Sequence, residues 1–322
     1  MTLTELRYIV AVARERHFGR AADACFVSQP TLSVSVKKLE GELGTQIFER
    51  GGSEVSLTPI GDRLVIQAQR VLDEVAMLGQ LAAQGRDPLL GPLKVGVIYT
   101  IGPYLLPRII KQLIRKHPEM PLILSENYTI KLLEQLRTGE IDVAILAEPF
   151  DAAGLDILPL YDEEFLIAVP KGHGWEARGS VPPNDLKAET MLLLGVGHCF
   201  RDQVLEVCPE AARLSQSSAG IQKTFEGSSL ETIRHMVASG LGITVLPKMA
   251  VLSAPTDPLL TMLSFADPIP TRRVSLIWRK SFARLPAVEC LRDIVLSVDL
   301  PGCTKLAKPS KPSKKTKSGG AT

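Results

Sequence analysis

The 322-residue sequence predicts an α/β protein with a small helical N-terminal domain, a long linker helix and a C-terminal α/β domain. Three observations lead to this fold class. Short amphipathic helices fill the first sixty residues, a long helical apolar stripe follows Pro59, and short apolar strands alternate with amphipathic helices from Leu93 onward. Such alternation is typical of βαβ units and a parallel sheet.

The N-terminal residues predict three helices. Thr2 and Glu5 form a capping box for the first, GRAADACF predicts a second, and Ser28 caps a third, QPTLSVSVKKLEGEL. Pro30 lies in the first turn of the third helix, where its missing N–H costs little, and Gly44 ends it. Helical spacing puts four apolar residues of this helix on its buried face: Leu32, Val36, Leu39 and Leu43.

The outward face of the third helix is polar and basic, with Gln29, Thr31, Ser33, Lys37 and Lys38. Two short helices joined by a tight turn, the second with such a face, are typical of a helix-turn-helix that contacts base edges in the major groove. Farther along, Gly51-Gly52-Ser53 predicts the turn of a two-stranded wing. Spacing alone leaves open a small helical bundle whose polar face only meets water.

The first sixty residues resemble the DNA-binding domain of LysR-type transcriptional regulators, through AADACFVSQPTLS, KKLEGELG and IFER. The resemblance implies a winged helix-turn-helix over residues 1–58, with a DNA-reading unit between Arg20 and Lys37. The residues that it implies for DNA contact are Arg20, Ser28, Gln29, Pro30, Thr31, Ser33, Lys37 and Arg50.

A long helix is predicted to follow Thr58-Pro59 as a linker over residues 59–90. Its apolar stripe is Leu64, Ala68, Val71, Leu72, Val75, Leu78 and Leu81. At 1.5 Å per residue this helix is roughly 40 Å long. A lone helix of that length needs a partner for its stripe, so we expect a dimer, which also suits recognition of two DNA half-sites.

The region 91–300 is predicted to be the α/β domain. Thr100 and Thr129 follow two of its strands, at the carboxyl ends where such sheets bind ligands. A threonine there is often only a helix cap, but two at equivalent ends favour a site for a small ligand. By resemblance, the region is the two-subdomain, periplasmic-binding-protein-like effector domain of LysR-type regulators. Subdomain I would cover about 91–161 and 268–300, and subdomain II about 162–267.

Composition limits the function classes. No run of eighteen apolar residues and no secretion signal appears, which predicts a cytoplasmic protein without a membrane partner. The net charge is +2, but six lysines lie in the segment 301–322. Because that tail is also rich in proline, serine and glycine, we expect it to be disordered and to act as a solubilising extension.

Five cysteines occur, namely Cys25, Cys199, Cys208, Cys290 and Cys303. Cytoplasmic thiols are normally reduced, and this odd, irregular set without a C-x-x-C pair predicts neither a disulfide framework nor a metal site. No cofactor is predicted. We interpret Cys25, Cys290 and Cys303 as inert small hydrophobes.

The segment GHCFRDQVLEVC raises a different question, because its cysteines could be buried thiols, metal ligands or a redox pair. MLLLGVG predicts a buried strand before it, which places Cys199 at a helix N-terminus. There the helix dipole, with His198 and Arg201 nearby, is expected to favour the reactive thiolate. Nine helical steps put Cys208 about 13 Å away on the opposite face, whereas a disulfide needs Cα atoms within about 7 Å. The pair cannot bond while the segment is helical.

The same segment, with YTIGPYLLP and SSLETIRHMVASGLG, resembles the peroxide-sensing OxyR branch of the LysR-type family. The resemblance implies that Cys199 is the peroxide-reactive thiol and Cys208 the resolving one. The implied pocket residues are Thr100, Thr129, His198, Asp202, Gln203 and Arg273. Strand alternation makes Arg273 face away from Arg272, and the choice between them rests on alignment to the motif.

The resulting prediction is a regulator rather than an enzyme. It would sense hydrogen peroxide through a reversible Cys199–Cys208 disulfide and control oxidative-stress genes as a dimer or tetramer. Its implied partners are double-stranded promoter DNA, RNA polymerase and a thiol reductant such as a glutaredoxin or thioredoxin. One alternative is a metabolite-responsive LysR-type regulator with incidental cysteines. Another is a thiol peroxidase, which the N-terminal domain argues against.

Overall fold

The computed structural model describes residues 1–49, 55–82, 88–209, 229–253 and 257–306. Within these ranges, no helix combines the length and apolarity that crossing a membrane would require. The N-terminal helices are α1 (Leu3–Glu15), α2 (Phe18–Ala24) and α3 (Gln29–Leu43), followed by the linker helix α4 (Pro59–Ala82).

Local capping explains the ends of the first helices. The Thr2 hydroxyl accepts the Glu5 N–H while the Glu5 carboxylate accepts the Thr2 N–H, which confirms the predicted capping box. The Ser28 hydroxyl accepts the Thr31 N–H at the start of α3, and Gly44 ends that helix with φ +65°. Three of the four predicted apolar residues of α3 are buried, but Leu43 is 38% exposed.

The base of the predicted wing is held against α3 by a buried carboxylate. Glu40 accepts the N–H of Ile47 at 2.8 Å and of Phe48 at 3.3 Å. Phe48 forms an antiparallel bridge with Leu57, which brings the two flanks of the wing together. Arg50 and the turn Gly51-Gly52-Ser53 lie outside the described residues.

The described part of the α/β domain contains nine strands. They are β1 (Leu93–Ile98), β2 (Leu122–Asn127), β3 (Val143–Ala147), β4 (Leu155–Pro170), β5 (Ser180–Val181), β6 (Thr244–Pro247), β7 (Leu260–Phe265), β8 (Thr271–Arg279) and β9 (Cys303–Lys305). The described helices are α5 (Gly102–Lys116), α6 (Thr129–Arg137), α7 (Cys199–Val207), α8 (Leu230–Ala238), α9 (Lys248–Ser253) and α10 (Leu285–Ser297), with a 3-10 helix at Pro183–Ala188.

One strand, β4, joins the two halves of the domain. Its N-terminal part pairs antiparallel with β8, which continues into β3, β1 and β2. Its C-terminal part pairs antiparallel with β6 and β7. At 16 residues, β4 is long enough to take part in both halves.

Two further predictions are wrong in detail. MLLLGVG is buried from Met191 to Gly195 but forms only a single bridge, between Met191 and Ile243. Two carbonyls of this segment accept hydrogen bonds from side chains rather than from a neighbouring strand. The Thr244 hydroxyl donates to Leu192 O, and the Arg201 guanidinium donates to Leu194 O. The predicted tail begins with an ordered segment, because Cys303–Lys305 is strand β9 and pairs with β4. Residues 307–322 lie outside the described residues.

The linker helix contacts the α/β domain through an ion pair that is almost wholly buried. Asp73 of α4 accepts the Arg279 Nε–H at 2.9 Å and the Ser281 hydroxyl at 2.6 Å. Arg279 also donates to the carbonyls of Leu136 and Ile141, at and beyond the C-terminal end of α6. Arg279 thus connects the C-terminal end of α6 to the linker helix α4.

Candidate functional site

Two threonines lie beside each other at the carboxyl ends of parallel strands. Strands β1 and β2 pair in parallel with Ile98 opposite Asn127, and Thr100 and Thr129 each follow two residues later. Both side chains are buried, with exposed fractions of 3% and 8%. Thr129 is also the first residue of α6. The topology therefore places both hydroxyls at one edge of the sheet, as the sequence predicts.

Helix α7 separates the two cysteines of interest. Cys199 is its first residue and Cys208 follows its last, and both are reduced thiols. The intervening helix, Cys199–Val207, separates the two residues by about 13 Å along its axis, as expected from the sequence. Before Cys199, Gly197 has φ +100°, and an added Cβ there would meet the Tyr128 ring at 3.3 Å. Glycine therefore suits this turn, because it tolerates the positive φ and leaves room for the Tyr128 ring.

The groups around Cys199 have opposite effects on the pKa of its thiol. Burial raises the pKa of the thiol above its ordinary value, and the negative charge of Asp202 adds to this. The Thr129 hydroxyl, the positive charge of Arg272 and the Phe200 N–H act in the other direction. Because burial is the largest effect, the pKa is raised, and the expectation that the helix N-terminus yields a thiolate in the resting protein is wrong.

The two residues predicted as cationic neighbours of Cys199 are His198 and Arg201. Burial lowers the pKa of His198, so its imidazole is neutral near pH 7. That ring packs edge-on against Tyr128 at 4.8 Å and Tyr99 at 6.0 Å. Arg201 donates to Leu194 O and holds the turn before α7. Asp202 is exposed, on the solvent side of the helix.

Three buried polar atoms close to Cys199 lack a nitrogen or oxygen partner: Thr129 Oγ1, His198 Nε2 and Gln203 Oε1. They are three of the seven such atoms in the described part of the chain. Gln203 lies one helical turn after Cys199, and its Nε2 donates to Glu148 O at 2.7 Å, which leaves its oxygen available. Because buried polar atoms are almost always paired, this concentration indicates a site for a small polar molecule.

The arginine near the thiol is Arg272, which corrects the prediction of Arg273. Arg273 is half-exposed and forms a bidentate ion pair with Asp162 at 2.8 and 2.9 Å. Arg272 is buried and donates from Nη1 to the Thr100 hydroxyl at 2.9 Å and from Nη2 to Thr100 O at 3.0 Å. Its guanidinium also lies 5.2 Å from the centre of the Phe200 ring.

A signal in the sequence could have identified Arg272. Alternation along β8 puts Arg272 on the same face as Val274 and Leu276, which are core residues. Arg273 shares its face with exposed Thr271. The aromatic neighbours Tyr99 and Tyr128, and the acid Glu163 that pairs with Arg272, had no comparable signal.

Of the residues predicted to contact DNA, those on α3 are mostly exposed, whereas Arg50 lies outside the described residues. Gln29, Pro30, Thr31 and Lys37 are exposed, and Ser33 is half-buried. The Ser28 hydroxyl is used in the helix cap, and exposed Arg20 donates to Glu15 O. Lys38, in contrast, is paired with Glu5 and Glu42.

The three remaining cysteines are partly buried, and burial raises the thiol pKa of Cys25 and Cys303. Across the described ranges, no group of three or more histidine, cysteine or acidic side chains is arranged to hold a metal ion.

Comparison with known proteins assigns the class that this fold and site define. Residues 3–62 match the bacterial regulatory helix-turn-helix family of lysR type, and residues 86–299 match the LysR substrate-binding domain. The chain therefore belongs to the LysR family of transcriptional regulators.

Within that family, its similarity to OxyR proteins extends over nearly the whole chain. It is 43% identical over 279 residues to the DNA-binding transcriptional dual regulator OxyR of Escherichia coli K12, covering 87% of this chain and 90% of that protein. A full-length cysteine-to-aspartate variant of OxyR from Pseudomonas aeruginosa is 50% identical, with a TM-score of 0.82, covering 96% and 99% of the two chains. A hydrogen-peroxide-bound mutant of Corynebacterium glutamicum OxyR is 34% identical, with a TM-score of 0.61 over 92% and 91%.

Proposed function

We propose that this protein is a cytoplasmic, DNA-binding transcriptional regulator that senses hydrogen peroxide. Cys199 would react with peroxide, Cys208 would resolve the product as a disulfide, and the change would control oxidative-stress genes. The observation that carries this proposal is the set of buried polar atoms near Cys199, on Thr129, His198 and Gln203, that have no nitrogen or oxygen partner. The peroxide-bound OxyR relative supports the choice of ligand.

The chemistry requires two steps. The Cys199 thiolate attacks one peroxide oxygen, the O–O bond breaks, and the products are a sulfenic acid and hydroxide, which takes up a proton to give water. The Cys208 thiolate then attacks the Cys199 sulfur, forming the S–S bond and releasing the sulfenic oxygen as a second hydroxide. The two cysteines lose two electrons in total, and a dithiol reductant such as a glutaredoxin or thioredoxin would return them.

Each pocket residue has a defined part in the first step. The hydroxyl of Thr129 and the amide oxygen of Gln203 can position the two peroxide oxygens, and His198 Nε2 offers one more hydrogen-bonding position. Arg272, held by Thr100, stabilises the thiolate and the departing hydroxide. Asp202 would act only through its charge, because its side chain is exposed.

The second step, formation of the disulfide, requires a change in the structure of α7. Residues 199–207 form a helix, so the sulfurs cannot approach until its turns unwind. Unwinding removes Phe200 and Val204 from the core, where they are 2% exposed. We expect this to repack the effector domains and change the spacing of the paired DNA-binding domains on promoter DNA.

Assembly and partners follow from the linker helix and the DNA-binding face. Val71 and Leu78 of α4 are 36% and 65% exposed, and a second copy of the chain in a dimer or tetramer would cover them. Gln29, Thr31 and Ser33 would contact bases, with Arg20, Lys37 and Arg50 on phosphates. As an activator, the protein would also contact RNA polymerase.

The test is mass spectrometry of the purified protein after treatment with one equivalent of peroxide. A disulfide between Cys199 and Cys208, reversed by dithiothreitol, is the expected product. A bridge between other cysteines, or none, would reject the sensor. A metabolite-responsive regulator with incidental cysteines would instead change its DNA affinity with a small carboxylate and respond normally as Cys208→Ser.

A further inference from the structure

Arg272, which acts in the first chemical step, is one half of a buried ion pair whose acidic partner, Glu163, has no part in either step. Glu163 of β4 and Arg272 of β8 are opposite each other in register, and neither side chain is exposed to solvent. Glu163 Oε2 accepts the Arg272 Nε–H at 2.8 Å and also lies 2.8 Å from Nη2. Such a pair is costly to bury and demands complete hydrogen bonding, so its geometry is tightly determined.

The pair fixes the direction of the guanidinium. Glu163 and Thr100 occupy hydrogen-bonding positions on all three Arg272 nitrogens, and the ring of Phe200 covers one face of the group. The positive charge of Arg272 lowers the pKa of the Cys199 thiol, and the hydrogen bonds from Arg272 to Glu163 and Thr100 set where that charge lies. The carboxylate therefore influences the sulfur through the position of the arginine.

Glu163 cannot be replaced by a neutral acceptor of the same shape. Its other oxygen, Oε1, accepts the Met249 N–H at 2.9 Å, in the first turn of α9. Both oxygens thus face N–H donors. A glutamine has only one acceptor oxygen. Its amide NH2, itself a donor, would therefore face the donor of either Met249 or Arg272 in a site without water access.

We propose that Glu163 is a positioning residue for the oxidation of Cys199: it holds Arg272 against Thr100 at the distance that stabilises the thiolate. This inference rests on the proposed function. The adjacent pair Asp162–Arg273 joins the same two strands but is partly exposed, so it provides a matched control.

The experiment compares the full-length protein with Glu163→Gln and Asp162→Asn. The alkylation rate of Cys199 by iodoacetamide is measured from pH 5 to 10 by peptide mass spectrometry, which follows this thiol separately from the other four. In Glu163→Gln we expect the thiol pKa to rise by about one unit, and alkylation and peroxide oxidation at pH 7 to slow about tenfold. Asp162→Asn should remain within about twofold of the unmodified protein, as expected for an exposed pair.

A folded Glu163→Gln protein with an unchanged or lowered Cys199 pKa would overturn the proposal. Circular dichroism establishes folding. If Glu163→Gln does not fold, Glu163→Asp keeps the charge on a side chain one methylene shorter, and it should raise the pKa in the same direction by a smaller amount; no rise there also overturns the proposal. Because alkylation needs no peroxide, failure of the sensor function would appear separately, as absence of the disulfide in the unmodified protein.

Discussion

The two ends of helix α7 place the same kind of side chain in opposite surroundings. Cys199 is partly accessible and lies among polar atoms that have no nitrogen or oxygen partner. Cys208 is 2% exposed and belongs to the hydrophobic core of the α/β domain. The difference indicates that a small polar molecule can reach the first thiol, while the second becomes available only when the core around it opens. In the proposed mechanism, sensing and structural change would thus be divided between the two ends of one helix.

The largest effect is expected from removing the first thiol. Cys199→Ser should consume no peroxide and form no disulfide, because a serine hydroxyl is not oxidised under these conditions. Promoter binding and transcription should be the same with and without peroxide. Any remaining peroxide-dependent change in a transcription assay would place the sensing thiol elsewhere.

Removing the second thiol should separate the two steps. Cys208→Ala keeps a small apolar group in the core, and we expect Cys199 to gain one oxygen atom without bridging. Intact-protein mass spectrometry with dimedone trapping measures this product. If instead a disulfide to Cys25, Cys290 or Cys303 formed at the normal rate, Cys208 would not be the resolving thiol.

The raised pKa of Cys199 predicts the pH dependence of the first step. The thiolate is the reactive form, so below this pKa the rate should increase about tenfold for each pH unit. Acidification therefore slows oxidation, and alkaline pH accelerates it up to a plateau at the pKa. Stopped-flow kinetics of disulfide formation between pH 6 and 9 would measure the profile. A rate independent of pH in this range would mean that the thiol is already ionised.

The smallest effect is expected at Thr129. Thr129→Val removes the hydroxyl that lowers the Cys199 pKa, and one hydrogen bond of about 1 kcal/mol corresponds to a slowing of about fivefold at pH 7. Thr138→Val, after the other end of α6, removes a hydroxyl that donates to Glu134 O and should leave the oxidation rate unchanged. Equal effects from both substitutions would indicate general loosening of α6.

The parts of the fold that depend on local sequence were predictable. Ser28 and Gly44 bound α3, and Cys199 begins α7, because caps and helical periodicity are properties of neighbouring residues. The choice of Arg272 over Arg273 and the raised pKa of Cys199 depend on which strand face is covered and how deeply. Those are consequences of tertiary packing. The pairing of Cys303–Lys305 with β4 could not be predicted either, because a three-residue strand has too few residues to show a hydrophobic period.

Helix α6 contacts the surroundings of Cys199 at one end and lies against the linker helix and the N-terminal domain farther along. Its first residue, Thr129, neighbours the Cys199 sulfur. Seven residues later, roughly 10 Å away, Arg279 donates to the Leu136 carbonyl in the last turn of α6 and is itself paired with Asp73 of the linker. Glu134 on the same helix pairs with Arg16 of the N-terminal domain. A displacement of α6 at its Thr129 end would therefore be expected to move both the linker helix and the N-terminal domain that contact this helix.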